Sequence, residues 1–175
     1  MRDLKQTIRS IPDFPKPGII FRDITTLLTN PEAYTQALDE FEAFFRKKGV
    51  TRLAAIDSRG FIFGGALADR LKVPLAVVRK KGKLPFTTIR EEYALEYGTD
   101  VLEMHVDAVE KGDRVAVIDD LLATGGTIEA SCKMVEKLGG TVAAIGVVIE
   151  LSFLKGRARL SKYDLKSLID YPTEE

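Results

Sequence analysis

Short apolar runs alternate with helix-like segments along this chain, which predicts an α/β fold with a central, mostly parallel sheet flanked by helices. Three observations carry the prediction. Residues 53–56, 75–78, 115–118 and 141–149 are continuous apolar runs, the pattern of strands buried on both faces. Segments with helical apolar spacing lie between them. Glycines, prolines or acids punctuate the junctions. The length of 175 residues suits one domain, taken as residues 1–175, with a full hydrophobic core.

From the start, Leu4, Ile8 and Ile11 are spaced for one face of a short helix over residues 4–11. Three prolines and Gly18 then exclude a regular helix. Residues 19–21 predict a short strand, which puts an apolar ledge next to Arg22. Asn30-Pro31-Glu32 is a helix start: a cap, a proline in the first turn and an acid. Tyr34, Ala37, Leu38, Phe41, Phe44 and Phe45 recur at helical spacing and read as core packing, and Gly49 ends the helix. The strand at residues 53–56 runs into Asp57-Ser58-Arg59-Gly60, and a helix follows over residues 61–71. That turn reads either as a surface ion pair or as a grip on an anion by Arg59.

After the strand at 75–78, Arg79, Lys80, Lys81 and Lys83 concentrate positive charge before Pro85. The run is either a solvated face or a site for a ligand carrying several phosphates. Residues 87–106 read as an extended hairpin. Val101, Glu103 and His105 fall on one side of its second arm, and Leu102, Met104 and Val106 on the other. His105 is the sole histidine, which excludes a histidine-based zinc site. Glu96-Tyr97-Gly98 marks the bend, either an ordinary turn or the tip of a lid. Residues 166–169 add a last strand.

The stretch from Val115 to Thr127 carries the most chemistry. Asp119 and Asp120 are expected at the strand's end, followed by the small-residue loop Ala123-Thr124-Gly125-Gly126 and a helix capped by Thr127. Ile128, Cys132 and Val135 share one face of that helix, so Cys132 reads as a core residue. A strand, a glycine-rich loop and a helix N-terminus make an anion site, with free backbone N–H groups and the helix dipole directed at the ligand. Two acids would repel a bare phosphate. They fit a sugar phosphate, where they accept from vicinal hydroxyls or face a bound metal. The loop lacks the lysine of a Walker A motif and the G-x-G-x-x-G of a dinucleotide fold.

Lysine plus arginine and aspartate plus glutamate each number 26, so net charge is zero, which counts against nucleic acid or an anionic membrane as main partner. A single cysteine excludes an internal disulfide framework. No secretory or membrane-spanning apolar stretch is present, and a soluble cytoplasmic protein is expected.

Several segments together resemble a known family. Phe14-Pro-Lys-Pro-Gly-Ile-Ile-Phe-Arg-Asp-Ile24, Asp57-Ser-Arg-Gly-Phe61, Arg79-Lys-Lys-Gly-Lys-Leu-Pro85, Glu96-Tyr-Gly98, the stretch around Asp119 to Thr127, and Glu150-Leu151 with Leu154-Lys-Gly-Arg157 occur in the order seen in the adenine branch of the type I phosphoribosyltransferases. The resemblance implies that family's fold, with an N-terminal hood over residues 1–30 and a flexible lid region over residues 79–106. It implies a Mg2+-dependent reaction in which adenine and phosphoribosyl pyrophosphate (PRPP) give AMP and pyrophosphate, in purine salvage. It also implies a homodimer. Ala123, Thr124, Gly125, Gly126 and Thr127 would hold the 5′-phosphate, and Asp119 and Asp120 the ribose hydroxyls. Ser58, Arg59, Gly60, Arg79, Lys80 and Lys83 would hold pyrophosphate, with Asp57–Ser58 the candidate for the family's non-proline cis peptide. Ile20, Phe21, Arg22 and Leu151 would form the adenine site. Glu96, Tyr97 and Arg59 would be catalytic, with Glu96 the acid/base. Magnesium would be carried mainly by PRPP, pyrophosphate and water rather than by protein ligands.

Ala123 favours adenine, because many 6-oxopurine enzymes place an acid there. Two alternatives stand beside this reading. One is a hypoxanthine, guanine or xanthine phosphoribosyltransferase. The other is a PRPP-sensing DNA-binding regulator, which carries an added N-terminal domain for which the residues before Phe14 are too few.

Overall fold

The computed structural model describes residues 3–94 and 98–174. A seven-stranded sheet forms its centre. In chain order the elements are β1 (Arg9–Ile11), β2 (Phe21–Asp23), α1 (Thr25–Leu28), α2 (Pro31–Lys47), β3 (Arg52–Ile56), α3 (Gly60–Leu71), β4 (Leu75–Lys80), β5 (Thr88–Ala94), β6 (Thr99–His105), β7 (Arg114–Leu122), α4 (Gly126–Lys137), β8 (Thr141–Leu151) and β9 (Leu165–Tyr171). The large sheet runs β5-β6-β4-β3-β7-β8-β9, and β1 and β2 form a separate two-stranded ribbon. Strands β4, β3, β7, β8 and β9 are parallel, and the hairpin β5–β6 joins antiparallel at the β4 edge.

The apolar runs form strands because both faces are covered. Along β7, Ala116 and Ile118 join the core beneath α2 and α3, while Val115 and Val117 join the core beneath α4. That alternation splits one strand between two hydrophobic layers. Helix α2 begins as expected: Asn30 Oδ1 accepts from Ala33 N–H, and Pro31 occupies the first turn. Its Phe41 and Phe45 are fully buried, and Gly146 of β8 leaves room for both rings. Cys132 is buried in α4, and burial raises its thiol, as a core residue requires.

Several expectations need correction. Residues 4–11 do not form one helix: Leu4–Thr7 is a 3-10 turn and Arg9–Ile11 is β1. Pairing with β2 supplies the hydrogen-bond partners that a polar three-residue strand cannot signal by periodicity. The hood strand lies at Phe21–Asp23 rather than 19–21, because the Ile19 backbone is engaged in the preceding loop, with Phe14 N–H and Lys16 C=O. Strand β7 continues through Leu122, so Asp119 and Asp120 lie inside it; β8 keeps pairing along their length. Thr127 is not the cap of α4. Gly125, at φ 85°, turns the chain into the helix earlier, and Thr127 sits in the first turn. Arg79 and Lys80 likewise belong to β4 rather than to the loop after it.

Candidate active site

The sheet's connectivity places the site. From β3 the chain crosses to β4 on one side, and the later strand β7 pairs on the other side. This is a topological switch point, where parallel α/β sheets open a crevice at the strand C-termini. Pairing of β7 with β3 ends at Ile118, leaving Asp119 onward open on that edge. A cavity of about 400 Å³ lies there, lined by Ser58, Arg59, Lys80, Tyr93, Asp119, Asp120 and the loop from Ala123 to Thr127, among others. Consecutive strand residues point to opposite faces. Asp119 and Asp120 both reach the cavity because the strand projects beyond β3.

The glycine-rich loop and the start of α4 form one wall of the cavity, a candidate cradle for an anion. The first N–H groups of a helix have no intrahelical partner, so they are available to an anion. The loop is braced from behind by the 3-10 turn Gly156–Leu160. A side chain on Gly156 would meet the Ala123 carbonyl oxygen at 2.1 Å, and one on Gly125 would meet the Gly156 carbonyl oxygen at 2.8 Å. Only a glycine pair allows this backbone-to-backbone seat. Arg157 fixes the turn through a bidentate pair with buried Glu150, its Nε donating to Oε1 at 2.9 Å, which lowers the Glu150 carboxyl.

The pyrophosphate-loop candidates enter from the β3–α3 and β4 ends. The Asp57–Ser58 peptide is cis. Gly60 packs against the Ile118 carbonyl and Asp119, so the β3 loop and β7 touch. Arg59, Arg79 and Lys80 each have a carboxylate partner from another element. Arg59 Nε is 2.9 Å from Asp120 Oδ2, Arg79 Nε is 3.0 Å from Asp57 Oδ2, and Lys80 Nζ is 3.1 Å from Asp100 Oδ2. The last contact raises Lys80 and lowers Asp100. Lys83 is exposed, and its carbonyl accepts from Arg79 Nη1. Burial raises the Asp119 carboxyl, and the Asp120 charge pushes it further. Burial also raises Asp120, opposed by Arg59.

Two residues at the site, Tyr93 of the cavity wall and Asp100 behind it, gave no sequence signal. Tyr93 of β5 packs its ring against Gly126, and its hydroxyl donates to Asp100 Oδ2 at 3.3 Å. Asp100 holds Lys80. Both are placed by the register of the hairpin, Tyr93 opposite Asp100, which only strand pairing reveals.

Phe21 of β2 reaches a cavity residue, Arg59. The Arg59 guanidinium lies 5.4 Å from the Phe21 ring centre, and Phe14 packs edge-on to Phe21 at 5.2 Å. The Arg22 side chain turns away, stacking on Tyr171 at 4.0 Å and donating to Ser10 Oγ at 2.6 Å. Ile20 precedes β2, and Leu151 ends β8; neither lines the cavity. Glu96 and Tyr97 lie outside the described residues. No helix among the described residues is long and apolar enough to cross a membrane.

Comparison with known proteins gives this geometry a lineage. Residues 26–172 match the phosphoribosyl transferase domain family. An adenine phosphoribosyltransferase of Parvibaculum lavamentivorans is 54% identical over 166 residues, covering 95% of each chain. The crystal structure of the adenine phosphoribosyltransferase of Thermoanaerobacter pseudethanolicus superposes with a TM-score of 0.92 at 51% identity, covering 96% of this chain and 98% of that one. The Saccharomyces cerevisiae enzyme, solved with adenine and an imino-altritol bisphosphate, gives a TM-score of 0.89 at 35% identity, covering 94% of this chain and 96% of that one. With a glycine-rich helix start, an acid pair and a row of cations at the switch point of the same sheet, the chain belongs to the phosphoribosyltransferase family, in its adenine phosphoribosyltransferase branch.

Proposed function

We propose that this chain transfers the 5-phosphoribosyl group from PRPP to adenine, giving AMP and pyrophosphate. One observation carries the reading: a single cavity joins a glycine-rich helix start, two adjacent carboxylates and two cations, Arg59 and Lys80. Those three features match the three parts of PRPP.

The backbone from Ala123 to Thr127 receives the 5′-phosphate. Asp119 and Asp120 accept from the ribose hydroxyls. Ser58, Arg59, Gly60, Arg79, Lys80 and Lys83 hold the pyrophosphate. As the bond from C1 to the leaving oxygen breaks, positive charge grows on the sugar and negative charge on the pyrophosphate, and the cations stabilise the latter. No covalent nucleophile is required. Phe21 faces the adenine ring, Ile20 and Arg22 offer backbone groups, and Leu151 packs from the other side. Glu96 takes the proton that N9 of adenine loses, and Tyr97 helps close the lid.

Asp119 and Asp120 suit contact with a metal-bound water, and no cluster of three or more metal-ligating side chains occurs among the described residues. That donor set fits Mg2+ carried in on the phosphates rather than caged by protein, with water completing its shell. When bound, it neutralises charge on the leaving pyrophosphate. A cytoplasmic homodimer fits this reading. Ala123, in place of an acid, supports adenine over 6-oxopurines.

Steady-state turnover with PRPP and each of adenine, hypoxanthine, guanine and xanthine tests the assignment. AMP formation from adenine, at a kcat/KM far above the others, is expected. Turnover of a 6-oxopurine with none of adenine would overturn it.

A further inference from the structure

The lid hairpin carries a buried carboxylate that the chemistry above does not use. Glu103 lies on β6 with 1% of its surface exposed. Its neighbours Leu102 and Met104 face the core, so Glu103 faces the opposite side of the sheet. The register sets it directly between Arg79 of β4 and Arg90 of β5. Residues opposite one another across adjacent strands share a face, so the three charges form one row.

The turn after β4 folds back over this carboxylate. Gly82 N–H donates to Glu103 Oε2 at 2.9 Å, and Lys81 N–H donates to the Val101 carbonyl at 3.0 Å. Glu103 Oε1 is buried and takes no well-directed hydrogen bond; Arg90 Nε at 2.8 Å compensates its charge. A buried carboxylate is tolerable only with such partners. At the other end of the row, Arg79 bonds the Asp57 carboxylate and the Lys83 carbonyl. Asp57 immediately precedes the Ser58-Arg59-Gly60 loop.

We propose that Glu103 is a positioning residue for pyrophosphate: from the lid hairpin it fixes the turn that leaves Lys80 at the end of β4 and carries Lys83, beside the Arg79 that fixes the Ser58 loop. The lid and the pyrophosphate groups are then set together. The inference rests on the transferase reading.

Calorimetric titration of the whole protein with magnesium pyrophosphate and, separately, with AMP tests it. AMP reports the phosphate cradle and the base site but not the pyrophosphate groups. Glu103→Ala removes both the acceptor and the charge, and should weaken pyrophosphate binding by about tenfold while AMP stays within about twofold. Glu103→Gln keeps an acceptor for Gly82 and should fall between, at about threefold. Arg90→Gln loosens the carboxylate from a side chain 59% exposed, without emptying the core, and should weaken pyrophosphate in the same direction. Wild-type pyrophosphate affinity in Glu103→Ala, or in Arg90→Gln if the alanine variant does not fold, overturns the proposal. So does an equal loss of AMP and pyrophosphate, the mark of a merely structural role. Wild-type protein that binds neither ligand overturns the transferase reading and this inference with it.

Discussion

Gly156→Ala tests whether the phosphate loop is held by its brace. An alanine Cβ at this position would stand 2.1 Å from the Ala123 carbonyl oxygen and 3.0 Å from Gly125 N. A carbon–oxygen contact relaxes at about 3.4 Å, so loop and brace must separate by about 1 Å. Both opposing atoms are backbone, and no rotamer change relieves the clash. Overpacking of this kind costs about 1–3 kcal/mol, which for a chain of this length lowers the melting temperature by about 3–10 °C. Misplacing binding groups by about 1 Å costs on the order of 100-fold in function. Titration with AMP and with magnesium pyrophosphate separates the loop from the rest of the site. AMP affinity should fall by roughly 10- to 100-fold, and pyrophosphate affinity by no more than about threefold. Gly65→Ala is the control: Gly65 is exposed in α3 with no atom within 4 Å of the added Cβ. That variant should gain up to about 1 kcal/mol from helix propensity. A Gly156→Ala protein with wild-type AMP affinity and melting temperature would refute the brace.

Four further outcomes are expected. Asp120→Asn should weaken PRPP binding about tenfold, because an amide is a poorer acceptor for hydroxyls than a carboxylate; unchanged PRPP affinity removes the ribose role. Asp119→Asn should stabilise the ligand-free protein while abolishing most turnover. Burial raises the Asp119 carboxyl, so the folded state keeps a proton that the unfolded chain has lost, and stability falls as pH rises through that interval. The gain should therefore be about 1 kcal/mol near pH 8 and vanish near pH 3, read by thermal melts at both; equal melts for mutant and wild type near pH 8 refute it. Asp23 is held at about 2 by Arg9 and by the Thr25 N–H, which secures the hood. Its contribution is present above the unfolded value of 3.8 and is lost as pH falls through about 2. Because Arg9 is 58% exposed, that contribution is about 1 kcal/mol. Asp23→Asn should raise the KM for adenine and leave that for PRPP unchanged; equal shifts in both would count against a hood effect. Glu96→Gln should lower kcat by about 100-fold with little change in PRPP affinity, and wild-type turnover would remove it as the proton acceptor.

The parallel strands were legible because burial on both faces forces continuous apolar runs, and α2 was legible because Asn30-Pro31 announces its start. Strand β1 was not: Arg9-Ser10-Ile11 has no apolar pattern, and its partner strand lies beyond a proline-rich loop. Local composition also misjudged boundaries. The two acids after Ile118 looked like a strand's end, yet β8 continues to pair with β7 beyond them. Of the cavity lining, the glycine-rich loop and the acid pair were legible as neighbours because their residues are contiguous. Tyr93, Asp100, Glu103 and Gly156 were not readable as parts of the site. Their places depend on hairpin register or on a turn far along the chain meeting the loop, and neither leaves a trace in local spacing. The proposal that the hood holds a purine base comes from resemblance alone, since no spacing within residues 14–24 points to it.

The pairing of Arg59, Arg79 and Lys80 with carboxylates has a consequence for ligand entry. An incoming anion meets no bare cation at Arg59, Arg79 or Lys80. It exchanges with Asp120, Asp57 and Asp100, each held at 2.9–3.1 Å. A lone monovalent anion can replace one such partner at a time and gains little, since it breaks one ion pair to make another. A diphosphate can replace several at once from a single molecule, which favours the ligand with the right spacing over the salts around it. The exchange also delivers something to the sugar. On the proposed reading, a pyrophosphate that takes Arg59 removes the partner of Asp120 and frees its carboxylate to accept from the ribose hydroxyls. Occupancy of one end of the cavity thereby arms the middle.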